Sequence, residues 1–186
     1  MMAIEPLPRG RGAMAGIEIS HMRRRDVWAV TRIEAQVYPR PWSKSLFLSE
    51  LGQGDSRRYI VARHAGSLVG YAGMMFAPGE AHVTNIAAHP RWHGHKIGSR
   101  LLLTLVTEAL ARGSAVLSLE VRVSNRAAQR MYEKFGFVIS GTRKGYYIET
   151  NEDAFVMTVE GALTTAYRQR LKLIQAELDD LTGWRA

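Results

Sequence analysis

The run Thr84-Asn85-Ile86-Ala87-Ala88-His89-Pro90-Arg91-Trp92-His93-Gly94-His95-Lys96-Ile97-Gly98-Ser99-Arg100-Leu101-Leu102 decides how this chain folds, together with its continuation through Leu119-Glu120-Val121-Arg122-Val123-Ser124-Asn125 to Tyr132 and Gly136-Phe137. Val83 to Ala88 reads as a strand and Pro90 to Gly98 as a loop. Ile97, Leu101, Leu102, Leu105 and Ala109 then recur at helical spacing. A second strand ends at Leu119–Arg122, and another helix runs from Asn125 to Phe135. A glycine-bearing turn at a helix start suits a pyrophosphate. The first N–H groups lack intrahelical acceptors, and the helix dipole adds positive potential there. Lys96 and Arg100 add cationic donors. No Gly-Lys-Ser/Thr follows, and the G-x-G-x-x-G spacing is absent, so neither common nucleotide motif applies. On spacing alone, a tight strand-to-helix turn accounts for the glycines equally well.

Outward from that loop, Leu117, Leu119, Val121 and Val123 alternate with Ser118, Glu120 and Arg122. Glu120 therefore sits on the face opposite the aliphatic set, as either a surface ion pair or a reactive carboxylate. Asn125 occupies a helix N-cap position. Tyr132 lies inside the helix, where a tyrosine is either a core residue with a satisfied hydroxyl or a proton donor to a cleft. His89, His93 and His95 mimic a metal cluster but lie in the anion loop without a carboxylate partner, so no metal is expected.

The remainder supplies the frame. Residues 1–16 carry glycines and prolines without periodicity and read as a flexible tail, with Met14 a second candidate start. Ile17 to Met22 alternates like a strand. Arg25 to Tyr38 has helical spacing and stops before Pro39 and Pro41, and Ser43 can cap a helix through Leu51. Arg57–His64 and Leu68–Ala77 form a hairpin about Ala65-Gly66-Ser67, and a third strand follows Pro78-Gly79. With β-α-β-α-β-β in the second half, the chain reads as α/β (α+β), a mixed sheet with helices on both faces. In residues 161–186, Leu163, Tyr167, Leu171, Ile174, Leu178 and Leu181 make one apolar stripe. It docks on its own domain or pairs with a second copy.

A length of 186 residues fits one domain, 17–160, flanked by that tail and helix. The absence of cysteine excludes disulfides, Cys-based zinc sites and a Cys nucleophile. No apolar run approaches the roughly 18 residues of a spanning helix, and no secretory signal is visible, so a cytoplasmic location is expected. The net charge of +8 is scattered, without an RNA-binding signature or finger. Direct nucleic-acid binding is therefore not expected, while an anionic small molecule would use part of the charge.

The pieces Asn85-Ile86-Ala87-Ala88-x-Pro, Gly-x-x-Ile-Gly-Ser-Arg-Leu-Leu from Gly94, and Leu-Glu-Val-Arg-x-Ser-Asn-x-x-Ala-x-x-x-Tyr-Glu-x-x-Gly-Phe from Leu119 resemble the GCN5-related N-acetyltransferases (GNAT). Tyr38-Pro39-Arg40-Pro41-Trp42-Ser43, Arg143-Lys144-Gly145-Tyr146-Tyr147 and Glu152-Asp153-Ala154 are similar to the RimI-type ribosomal-protein alanine N-acetyltransferases within that superfamily. The resemblance covers about residues 17–160. It implies a mostly antiparallel sheet of about seven strands and acetyl-CoA as cosubstrate. Ile86, Ala87 and Ala88 would pair with its pantetheine arm, Gly94, His95, Lys96, Ile97, Gly98 and Ser99 would wrap its pyrophosphate, and Asn125 would approach its thioester end. Glu120 is implied as general base and Tyr132 as general acid. The groove for a protein N-terminus, expected to be ribosomal, would be lined by Trp42, Tyr146 and Tyr147. Two positions depart from the family pattern: Lys96 stands where a glycine is usual, and His93 where Gln or Arg is usual.

Those residue types suit acetyl transfer to an α-amine. An α-amine with pKa about 7.7–8.0 costs only about 1 kcal/mol to deprotonate at pH 7, against about 4.6 kcal/mol for a lysine. One carboxylate acting through water is adequate for the first and strained for the second. Direct attack needs no covalent intermediate, in keeping with the missing cysteine and with no Ser–His pair evident in the sequence. The alternatives are a GNAT enzyme acting on a small amine or a protein lysine, a non-catalytic acetyl-CoA-binding module, and a basic ribosome-associated protein.

Overall fold

Tyr59, Ile60, Val61 and Ala62 are buried at four consecutive positions, which a strand achieves only when both its faces are covered. Ile60 and Ala62 join one apolar cluster with Ala72 and Met74, whereas Tyr59 and Val61 join a second with Tyr71 and Ala87. Alternation along the strands thus feeds two helical layers. The computed structural model describes residues 16–180. Residues 1–15 of the expected tail, and 181–186 with Leu181, lie outside them.

Seven strands, β1 (Ile17–His21), β2 (Arg57–His64), β3 (Ser67–Ala77), β4 (Glu80–Ala88), β5 (Val116–Arg122), β6 (Val138–Tyr147) and β7 (Glu152–Val159), form one sheet in the order β1-β2-β3-β4-β5-β7-β6. Every neighbouring pair is antiparallel except β4–β5. Helices α1 (Val27–Val37) and α2 (Lys44–Leu51) contribute Val27, Val30, Ile33 and Phe47 to one layer. Helices α3 (Ile97–Ala111), α4 (Arg126–Lys134) and α5 (Thr165–Asp180) pack into the other. Local signals behave as read. Ser43 Oγ accepts the Leu46 N–H at 3.2 Å and caps α2. Ala65 and Gly66 both take positive φ in the β2–β3 hairpin, the type I′ geometry that matches strand twist.

Two features of the sheet make the site. First, β4–β5 pairing runs from Glu80↔Val116 to Val83↔Leu119 and stops. Gly73 pairs with Asn85 while Met74 pairs with Val83, so Thr84 is a bulged residue that bends β4 at the point where the pairing ends. Beyond it β4 stays with β3 and β5 stays with β7, and a cleft opens between them. Second, a Cβ on Gly70 would come within 2.7 Å of Ile97 Cγ2 and 2.9 Å of the Ala87 carbonyl. That close approach seats the first turn of α3 beside the end of β4.

Helix α5 buries Tyr167, Leu171, Ile174 and Leu178 against the α3–α4 layer. At about 1.5–3 kcal/mol per buried aliphatic or aromatic side chain, this docking is substantial. The helix starts at Thr165, later than the stripe alone implied; Leu163 precedes it and is exposed. The Arg100 guanidinium donates to the Leu178 carbonyl at its C-terminal end, where a cation also complements the helix dipole.

Candidate active site

The loop into α3 turns through positive φ at both Gly94 and Lys96. Lys96 adopts φ 57 and ψ 18, the left-handed conformation that a glycine would take without strain, and is the N-cap of α3. Gly94 adopts φ 81, with open space where a Cβ would lie. Gly98 does different work: its Cα faces α4, and a Cβ there would stand 3.2 Å from Met131 Sδ. The side chains of the loop are tied down. Trp92 is buried between His64 and His95, with ring centroids 4.8 and 5.3 Å away. The turn thus presents the α3 N-terminus, with the backbone of Gly94, His95, Lys96, Ile97, Gly98 and Ser99, to the cleft end of β4. Arg100 is not part of that set, because its guanidinium is committed to α5.

Along the parted edge of β4, two of the three expected carbonyl positions are already engaged. The Tyr38 hydroxyl donates to the Ile86 carbonyl at 2.8 Å, and His93 Nε2 lies 3.2 Å from the Ala88 carbonyl. Each carbonyl keeps a second lone pair for a ligand. Ala87 points the other way, into the α1–α2 layer.

On the opposite wall, Glu120 projects from β5 on the face away from Leu119 and Val121. Its side chain is only 9% exposed, with Oε2 3.0 Å from His82 Nε2 and Oε1 3.1 Å from Arg143 Nη2. The hydrogen bond from His82, followed by the charges of His82 and Arg143, outweighs burial and holds the Glu120 carboxyl below its ordinary range. An ionised carboxylate only accepts, so His82 Nε2 carries a proton toward Glu120, and Nδ1 lies 2.9 Å from Ser118 Oγ. Ser118, His82 and Glu120 thus form a chain that sequence spacing did not reveal. The β4–β5 register sets His82 directly beside Ser118. A Ser–His pair does exist in the fold, contrary to the sequence reading.

A cluster of phenols closes the cleft. Asn125 Oδ1 accepts the Ala128 N–H at 3.1 Å and caps α4, and the buried Gln129 donates to the Arg122 and Val123 carbonyls at 2.9 Å each. These contacts fix α4 beneath the end of β5 and bury Tyr132. Burial, then the phenols of Tyr38 and Tyr147, raise the Tyr132 hydroxyl well above an ordinary phenol. Burial pushes Tyr147 up to about 12, against the opposing charge of Arg122. Tyr146 stands edge-on to Tyr147, ring centroids 5.1 Å apart, and is 43% exposed. The Trp42 ring packs on Phe47, centroids 5.4 Å apart, and its backbone N–H donates to Glu34 Oε1 at 3.0 Å.

Tyr146 and Tyr147 lie close enough to Glu120 to feel its charge, and Tyr132 on α4 lies close enough to Tyr147 to feel that phenol. Tyr38 and His82 are the members that sequence reasoning missed. The motif around Tyr38 was visible, but its partner Ile86 lies 48 residues away. Among the described residues, no group of three or more His, Cys, Asp or Glu is arranged to hold a metal, and no helix is long and apolar enough to cross a membrane.

The model of the Acetyltransferase (GNAT) family matches residues 27–137. A relative from Mycobacterium tuberculosis, N-alpha-acetyltransferase RimI, is 37% identical over 147 residues, covering 76% of this chain and 90% of that protein. The crystal structure of the ribosomal-protein-S18-alanine N-acetyltransferase from Escherichia coli matches with a TM-score of 0.72 and 34% identity, over 78% of this chain and 94% of that one. A Salmonella typhimurium protein of the same fold, 20% identical with a TM-score of 0.69 over 81% of this chain and 95% of that one, was solved with acetyl-CoA as its cofactor. The chain belongs to the acetyltransferase (GNAT) family and is an acetyl-CoA-dependent N-acetyltransferase of its RimI type.

Proposed function

We propose that the chain transfers the acetyl group of acetyl-CoA to the N-terminal α-amine of a protein, with the N-terminal alanine of a ribosomal protein as acceptor. The observation that carries this reading is the ionised Glu120, held by His82 and Arg143 at the cleft where β4 and β5 part and flanked by phenols. The names of the relatives supply the acceptor class.

Acetyl-CoA supplies an activated thioester; the chain supplies position and proton handling. The N–H groups of Gly94 and of Lys96 to Ser99 at the α3 N-terminus hold the pyrophosphate, that of His95 being donated to the Trp92 carbonyl at 3.2 Å, and Ile86 to Ala88 line the pantetheine arm. The Asn125 side chain, whose oxygen caps α4, offers its amide nitrogen toward the thioester end. Tyr146, Tyr147 and the loop carrying Trp42 bound the groove for the protein N-terminus.

Glu120 draws the proton from the incoming ammonium through an intervening water. A carboxyl held below its ordinary range is a weak base, so its charge first orients the ammonium and it takes the proton only as the new bond forms. His82 Nε2 donates to Glu120 and so holds its charge, while Ser118 Oγ, 2.9 Å from Nδ1, steadies the far side of the imidazole. Tyr132 keeps its proton until a thiolate forms beside it, then donates. Because an α-amine costs about 1 kcal/mol to deprotonate at pH 7, this modest base suffices.

The test is incubation with acetyl-CoA and a peptide bearing an N-terminal alanine, beside the same peptide blocked at its N-terminus and carrying one lysine. Mass analysis should show one acetyl group on the first peptide only. Equal turnover of the second would overturn the acceptor assignment, and no transfer to either would overturn the reading as a whole.

A further inference from the structure

Arg122 is the charged residue that the acetyl-transfer chemistry leaves without a task, yet it is among the most heavily engaged side chains near the cleft. It stands on β5 two residues beyond Glu120, on the same face. Nη1 lies 2.6 Å from Thr150 Oγ1 and 3.0 Å from Glu152 Oε2, and Nη2 pairs with Glu149. The guanidinium carbon lies 3.7 Å from the centroid of the Tyr147 ring. All of these partners belong to residues 147–152, the turn between β6 and β7.

That turn has a few contacts of its own, with the Asn151 N–H donated to the Ile148 carbonyl and Asp153 accepting the Gly145 N–H at 2.8 Å, but its strand pairing is interrupted. The β6–β7 ladder is regular from Gly141↔Val156 to Arg143↔Ala154, then breaks before Tyr147↔Glu152. Ile148 is 78% exposed at its tip, and Asn151 is strained in the left-handed region at φ 48. Glu152 continues the connection, since its other oxygen accepts the Ser124 N–H at 2.8 Å. Asp153 bridges the interruption to Gly145 and Lys144, and the Arg122 guanidinium ties the rest of the turn to β5. A planar fork serves two carboxylates and a ring at once, which an ammonium cannot do.

We propose that Arg122 is a positioning residue for the acceptor: it fixes the 147–152 turn, and Tyr147 with it, as the wall against which an extended protein N-terminus docks. This rests on the function proposed above. The role acts on acceptor affinity and leaves the cofactor loop, built on the other side of the cleft, unaffected.

The experiment compares the full chain with Arg122→Lys and Glu149→Gln. It measures steady-state kinetics on an N-terminal alanine peptide, acetyl-CoA affinity by calorimetry, and hydrogen exchange of residues 147–152. Both variants should raise the peptide KM about tenfold with kcat little changed. Acetyl-CoA affinity should stay as in the unaltered chain, while exchange in the turn speeds up. An unchanged peptide KM in a folded variant, an equal loss of acetyl-CoA affinity, or unchanged exchange in the turn would each overturn the proposal. If the unaltered chain acetylates no peptide, the function reading fails, a result the exchange measurement keeps distinct.

Discussion

His82 Nε2 and Glu120 Oε2 lie 3.0 Å apart across the only parallel strand pair among the described residues. The contact exists because β4 and β5 run side by side for four residues before they part. It holds the Glu120 carboxyl below its ordinary range at the point where the two strands part.

From this contact follows a pH effect. His82 is the largest cause of the lowered Glu120 carboxyl, so His82→Ala should raise that carboxyl toward its ordinary range. The acid limb of kcat/KM should then move to higher pH. Glu120→Gln should cost about 10²- to 10⁴-fold in kcat, as loss of a general base does. A pH–rate profile of the two variants checks both; an unmoved acid limb in His82→Ala would show that His82 does not hold the Glu120 carboxyl down.

Tyr132→Phe should lower kcat by about 10²-fold with little change in either KM, since its proton matters only as the thiolate departs. Tyr38→Phe should act differently, because it frees the Ile86 carbonyl and so alters acetyl-CoA binding. Parallel steady-state kinetics separate the two. A larger kcat loss in Tyr38→Phe would transfer the acid role to that phenol.

Lys96→Gly should stabilise the fold by up to about 1 kcal/mol, because the left-handed strain of Lys96 is relieved. Part of that gain is lost to the greater freedom of glycine in the unfolded chain. The expected rise in Tm is about 2–4 °C or less. Acetyl-CoA affinity should fall in the same variant, as a cation leaves the pyrophosphate loop. Calorimetry with and without acetyl-CoA checks both signs.

Gly70→Ala should destabilise the chain by about 1–3 kcal/mol, the usual cost of overpacking. Its new methyl would meet Ile97 and the Ala87 backbone, so the start of α3 must shift. Urea unfolding reads the stability loss, and a raised KM for acetyl-CoA should accompany it.

Glu34 is buried in α1, with Oε1 on the Trp42 N–H and Oε2 without a partner. Burial raises its carboxyl to about 7, against the lowering effect of that hydrogen bond. A carboxyl raised on folding favours the folded state below its unfolded value, and that support is lost as pH climbs through about 7. Glu34→Gln should remove this dependence, worth about 1–3 kcal/mol between acid and neutral pH. Unfolding curves at several pH values decide it; parallel pH dependence in both proteins would contradict the raised carboxyl.

What could be read from the sequence was local. The caps Ser43 and Asn125 were legible because each bonds to an N–H three residues ahead. Glu120 was legible because strand alternation sorts the faces without a partner strand. The α5 stripe was legible as apolar, yet its occupant was not, and the fold shows it packed on its own domain. Arg100 was misread for the same reason: position beside the loop suggested the pyrophosphate, and the late arrival of α5 claimed its guanidinium.

The amino-acid order alone determined the elements, the α/β frame with helices on both faces of the sheet and the glycine-bearing turn into α3, since periodicity, caps and glycine placement act within a few residues. Only the tertiary structure decided that His82 meets Glu120, that Tyr38 reaches Ile86 and that Arg122 grips the 147–152 turn. Those contacts depend on strand register and on where a bulge ends a ladder. Register is set by packing of the whole sheet between its helices, a balance of many distant contacts that no short stretch of sequence encodes.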